Sequence, residues 1–142
     1  MVVEEIRKSV VVEASPEVIF KALTDEKELV QWMPRQAKMD ARVGGEYEFK
    51  YQWADRGLET VLRGKILEME KNKRLSYTWD AETPDHVPRI SAAIVTWILD
   101  PLPDGNTRVT LIHSGVDTRF SKDAEMGWNF FLGRLQNYCK GV

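Results

Sequence analysis

Few side chains in this 142-residue chain have the type and spacing that chemistry requires. His86 and His113 are far apart and neither has a companion at metal-ligand spacing, so no zinc site is expected. Cys139 is the single cysteine, which rules out an internal disulfide and a cysteine-rich metal site. It falls on the apolar side of a helical pattern, where an inert buried thiol is expected. Ser91 and Ser114 have no visible base partner, so a nucleophile triad is not supported. Gly44-Gly45 lacks the strand-to-helix context of a phosphate loop and reads as a turn. No catalytic residue, metal or cofactor is expected from these patterns.

What the chain does have is rings. Five Trp, four Tyr and five Phe are present in a sequence that is only 43% hydrophobic. Tyr47, Tyr51, Trp53, Trp79, Trp97 and Trp128 fall at positions that predict one inward surface. Buried indoles need partners for their N–H groups, so such a set makes either a ring-built core or a partly polar cavity. His113 shares strand parity with Val109 and Leu111, which places it inward, either as a core histidine satisfied by a backbone carbonyl or as a polar anchor at one end of a pocket. Arg63 and Lys65 share parity with Val61, Leu67 and Met69, so one of them could point inward unless the Gly64 bend flips the register, and an inward Arg63 would bind a carboxylate or phenolate. With Phe131 on the helix opposite, the expected ligand-binding set is Tyr47, Tyr51, Trp53, Arg63, Trp79, Trp97, His113, Trp128 and Phe131. The molecule it would take is small and hydrophobic or aromatic, uncharged or weakly acidic.

The elements that position these rings are legible in the periodicity. Residues 3 to 13 read as a strand. Ser15-Pro16-Glu17 then starts a short helix carrying Ile19, Phe20 and Leu23 on one face. Asp25 to Glu28 has capping-box spacing and starts a second one, with Leu29, Trp32 and Met33 apolar and Pro34 as its stop. From 35 to 116 the period is two. Met39, Ala41 and Val43 alternate with polar residues up to the Gly44-Gly45 turn, and Tyr47 to Trp53 is the cleanest strand. Ala54 to Gly57 reads as a hairpin link and 58 to 70 as a long strand in which Gly64 suggests a bulge or bend. Strands over 74–80, 90–100 and 107–115 follow, with a loop over 81–88 and a hairpin at Asp104-Gly105. In 123 to 140 the apolar residues Trp128, Phe131, Leu132, Leu135, Tyr138 and Cys139 return to helical spacing.

That order predicts an α+β fold. A curved antiparallel sheet of six to seven strands wraps a long C-terminal helix, with two short helices after the first strand. No linker, repeat or low-complexity tract interrupts it, so one domain over 1–142 is expected. A net charge of −2 argues against a duplex-binding surface. No apolar run of about 18 residues is present to span a membrane. Charges in Met1 to Lys8 do not fit a signal peptide, so a cytoplasmic protein is expected, as a monomer or weak homodimer.

Several segments, taken in order, carry a resemblance. They are Glu17 to Asp25, Trp32, Asp40 to Gly45, Gly64 to Glu68, Arg74 to Trp79, Val95 to Trp97, Val109 to Gly115 and Gly127-Trp128. The chain is similar to activators of the 90-kilodalton heat-shock chaperone ATPase, in particular to stand-alone bacterial proteins that resemble the activator's C-terminal domain. The resemblance implies the helix-grip, START-like superfamily shared with polyketide cyclases. It also implies three function classes. The first is non-catalytic binding of a small molecule between sheet and helix. The second is a co-chaperone-like module that contacts a chaperone in a stress response. The third is an enzyme of cyclase or hydrolase type.

Overall fold

The computed structural model describes residues 3–53, 58–82, 93–118 and 121–140. The chain runs β1 (Val3–Val12), α1 (Pro16–Thr24), α2 (Glu26–Trp32), β2 (Gln36–Met39), β3 (Glu46–Trp53) and β4 (Leu58–Glu70). It continues through β5 (Arg74–Thr78), β6 (Asp80–Glu82), β7 (Ile94–Pro101), β8 (Thr107–Asp117) and α3 (Ser121–Lys140). The sheet order is β1-β8-β7-β5-β4-β3-β2, and every described pairing is antiparallel. Short β6 continues β5 along β4 in unchanged register, Ile66 facing Tyr77 and Arg63 facing Asp80. This is the predicted helix-grip arrangement, with α3 as the gripped helix.

Local chemistry explains the entry helices. Ser15 Oγ accepts from Val18 N–H at 3.4 Å and Pro16 fills the first turn, as their types predict. Asp25 joins the two helices: its N–H closes α1 on Lys21 O, and its carboxylate accepts from Lys27 N–H at 2.8 Å to start α2. Glu28 does not reach back to complete a capping box. It accepts from the Tyr138 hydroxyl at 3.2 Å and pairs with Lys21 at 3.4 Å, tying α2 to α3 and α1. The end of α2 is held by α3, because Arg134 donates to the carbonyls of Trp32 at 2.7 Å and Gln31 at 3.3 Å.

Two stretches depart from the sequence reading. Ala41 and Val43 are not in a strand: β2 ends at Met39, and 40–45 turn through Arg42 N–H to Asp40 O and Gly45 N–H to Arg42 O. The second departure is in β4. Gly64 is not its bulge; the register shift lies between Ile66 and Glu68, at Leu67. Up to Ile66 the inner positions are Leu62 and Ile66, and beyond the shift Met69 turns inward, leaving Leu67 exposed. Residues 54–57 and 83–92, with the predicted hairpin, most of the loop carrying His86, and Ser91, lie outside the described residues.

One face of the sheet forms the core against α3. Tyr47, Phe49 and Tyr51 of β3, Tyr77 of β5, Trp97 of β7 and Leu111 of β8 are buried on it. Trp128, Phe131, Leu132, Leu135 and Cys139 of α3 are buried opposite, which matches the predicted helical stripe.

Candidate functional site

The seam between sheet and α3 is graded along its length. At one end Trp97 is fully buried, with its ring edge-on to Trp32 at 6.1 Å and to Trp128 at 5.8 Å. Its Nε1 donates to the Tyr77 hydroxyl at 2.8 Å. Trp32 is equally buried and donates to Ala22 O at 2.9 Å. This end is packed and its indole N–H groups are satisfied, the arrangement expected of a core.

At the other end the rings are buried slightly less completely. Phe131 is 9% exposed, His113 6%, and Trp79 is half-buried. Trp79 sits at the one-residue break between β5 and β6, its N–H directed to Ala93 O at 2.9 Å. Its ring stacks on Tyr77 at 5.9 Å, tilts against Trp128 at 5.2 Å and meets His113 edge-on at 5.9 Å. Trp128 Nε1 donates to His113 Nδ1 at 2.9 Å, so that nitrogen is the acceptor and the imidazole carries its proton on Nε2. Tyr51 faces Phe131 at 5.6 Å.

The phenols of this surface stay neutral. Burial pushes the Tyr51 and Tyr77 hydroxyls far above the ordinary tyrosine value, with neighbouring phenols adding to the effect at Tyr51. Tyr47 is raised the same way, by burial first and then by Tyr77 and Asp80, and its hydroxyl donates to Thr78 O.

The predicted set therefore divides. Tyr51, Trp79, His113, Trp128 and Phe131 come together at the more exposed end, with Tyr47 beside Tyr77 at 4.7 Å. Trp97 belongs to the packed end. Trp53 closes β3, but its side chain lies outside the described residues. Arg63 is not in the seam. It faces Glu48 across β3 and β4 on the outer side and donates to that carboxylate at 2.8 Å. The parity with Met69 misled because the shift at Leu67 separates the two. Tyr77 is the residue missed. It shares a face with Leu75 and Trp79 in the sequence, and its hydroxyl is the acceptor for Trp97.

Among the described residues no group of three His, Cys, Asp or Glu side chains could hold a metal ion. Cys139 is buried, and desolvation followed by Glu28 pushes its thiol up to about 11. A thiol-reactive dye at pH 8 is expected to leave Cys139 untouched in the folded protein and to label it fully in denaturant. Rapid labelling of the native chain would contradict its burial.

Residues 13–140 match the model of the family described as "Activator of Hsp90 ATPase homolog 1-like protein". A crystal structure of a protein from Chromobacterium violaceum is 26% identical, with a TM-score of 0.82 over 95% of this chain and 96% of that one. One from Mesorhizobium loti is 27% identical, with a TM-score of 0.81 over 98% of each chain. The solution structure of the Aha1 dimer from Colwellia psychrerythraea is 23% identical, with a TM-score of 0.75 over 98% of this chain and 96% of that one, and shares the fold. No curated protein matches the chain.

Proposed function

We propose that this chain, which belongs to the Activator of Hsp90 ATPase homolog 1-like family, binds an uncharged or weakly acidic aromatic molecule in its sheet–helix seam without transforming it. The observation that carries this reading is the meeting of Trp79, Trp128 and His113 at the less buried end of the seam. Rings supply contact area at low entropic cost, and a few placed polar groups orient the guest. The Trp128 indole fixes the imidazole of His113, so the polar group is held in one orientation before a ligand arrives.

Tryptophan fluorescence tests it against flavonoid-like, lipid-like and polyketide-like compounds at micromolar concentration. Saturable quenching by a flavonoid- or polyketide-like ring compound is the expected result. His113→Ala should weaken that ligand by roughly fivefold, the loss of about 1 kcal/mol from one hydrogen bond. An unchanged Kd would remove His113 from the site, and no quenching by any compound would end the reading.

A second reading has its own observation. Met126 is 70% exposed and Phe130 55%, one turn apart on the solvent side of α3. Exposed apolar pairs on the otherwise polar face of a helix suit a partner surface, and for this family a 90-kilodalton heat-shock chaperone is the partner to try. Stimulation of that chaperone's ATPase by the protein, lost in a Met126→Ser, Phe130→Ser double variant, would favour this reading.

A further inference from the structure

We propose a second binding site, outside the seam, for the phosphoryl dianion of a small phosphate monoester. It lies at the β2 edge of the sheet, in an open depression of about 360 Å³ that Val30, Arg35, Ala37, Lys38, Glu48 and Lys50 help to line. This proposal is independent of the ligand reading for the seam.

The argument is one of charge and register. Lys38 faces Glu48 across β2 and β3, and Glu48 faces Arg63 across β3 and β4. One carboxylate therefore lies between two cations, with Lys50 a third at 3.9 Å. Glu48 is committed to Arg63, whose Nε donates to it at 2.8 Å, and that bond is the first cause of its lowered pKa. Asp80 lies on the far side of Arg63, on β6, and so does not offset Lys38 or Lys50. Arg35 joins them where its N–H bonds to Lys50 O at 2.8 Å. Among the described residues, neither Arg35 nor Lys38 has an ion-pair partner within 4.0 Å.

The depression thus carries three cations against a single carboxylate that a fourth cation already neutralises, in a chain whose net charge is −2. Lys50 is half-buried, so its side chain has lost part of its hydration and favours an anion more than a free surface lysine does, while Lys38 and Arg35 are exposed beside it. A guanidinium beside two ammonium groups suits a phosphoryl group, which offers three acceptor oxygens and close to two charges at neutral pH. Val30 and Ala37 give one wall an apolar surface, which suits the organic part of an ester.

The experiment is a two-dimensional ¹H–¹⁵N NMR titration of the full chain at low ionic strength, with phenyl phosphate and with inorganic phosphate. Saturable shifts centred on residues 35–38 and 48–50 are expected, with phenyl phosphate several-fold tighter than inorganic phosphate. Arg35→Gln and Lys38→Gln should each weaken phenyl phosphate at least fivefold, while Glu48→Gln should tighten it. Folding of each variant is read from the same spectra. Shifts spread equally over remote lysines such as Lys71 and Lys122, or a Kd that Arg35→Gln leaves unchanged, would overturn the proposal.

Discussion

Replacing Trp97 by alanine is expected to cost about 4–5 kcal/mol in a urea titration, near the top of the range for large-to-small core changes. The ring is fully buried, packs edge-on against Trp32 and Trp128, and donates its N–H to Tyr77. Truncation would remove that packing, leave a cavity between sheet and α3, and strip a buried hydroxyl of its donor. A domain of this kind has about 5–15 kcal/mol in total, so the variant would be marginal or unfolded. Trp97→Phe separates the terms: it keeps most of the apolar volume and should cost only about 1–2 kcal/mol. A Trp97→Ala loss below about 2 kcal/mol would show that the packed end of the seam is loose.

Gly64→Ala, the smallest substitution available there, should nevertheless cost about 3 kcal/mol, at the upper end for overpacking. Gly64 pairs directly with Tyr47, whose ring crosses over it so that the hydroxyl reaches Thr78 O. A Cβ at this position would overlap the Thr78 carbonyl oxygen and stand 2.5 Å from Thr78 Oγ1 and 2.8 Å from Tyr47 Cε1. The carbonyl is backbone and cannot rotate away, so β4 and β5 would have to separate locally. Thr78 Oγ1 also accepts from Lys65 N–H at 2.9 Å, and that bond would be disturbed as well. Tyr47→Leu in the Gly64→Ala background should recover little, because the overlap with Thr78 O remains. A loss below about 0.5 kcal/mol, the ordinary scatter of harmless substitutions, would contradict the close approach.

These two positions show what was legible in the chain and what was not. Alternation from Tyr47 to Tyr51 and the helical stripe from Trp128 to Cys139 specified the sheet face and the gripping helix, because side-chain period follows directly from backbone geometry. The inward position of His113 followed from the same parity with Val109 and Leu111. Arg63 could not be placed that way. A one-residue shift at Leu67 reverses the faces of everything beyond it, and no residue type marks the shift. Gly64 stands out in its strand, but its reason lies in Tyr47 and Thr78, partners that only strand pairing brings near. The grading of the seam, packed at Trp97 and less buried at Trp79 and Phe131, is equally a property of the assembled sheet, since all these rings look alike in sequence.

The most direct test of ligand binding at that less buried end uses the five tryptophans themselves. Protein labelled with 5-fluorotryptophan, its ¹⁹F resonances assigned by single Trp→Phe variants, is titrated with each compound of the fluorescence panel. Trp79 and Trp128 are expected to shift or broaden saturably with a ring compound while Trp32 holds its frequency. If no compound moves Trp79 or Trp128, or if Trp32 moves as far as they do, the seam is a core and the binding account is wrong.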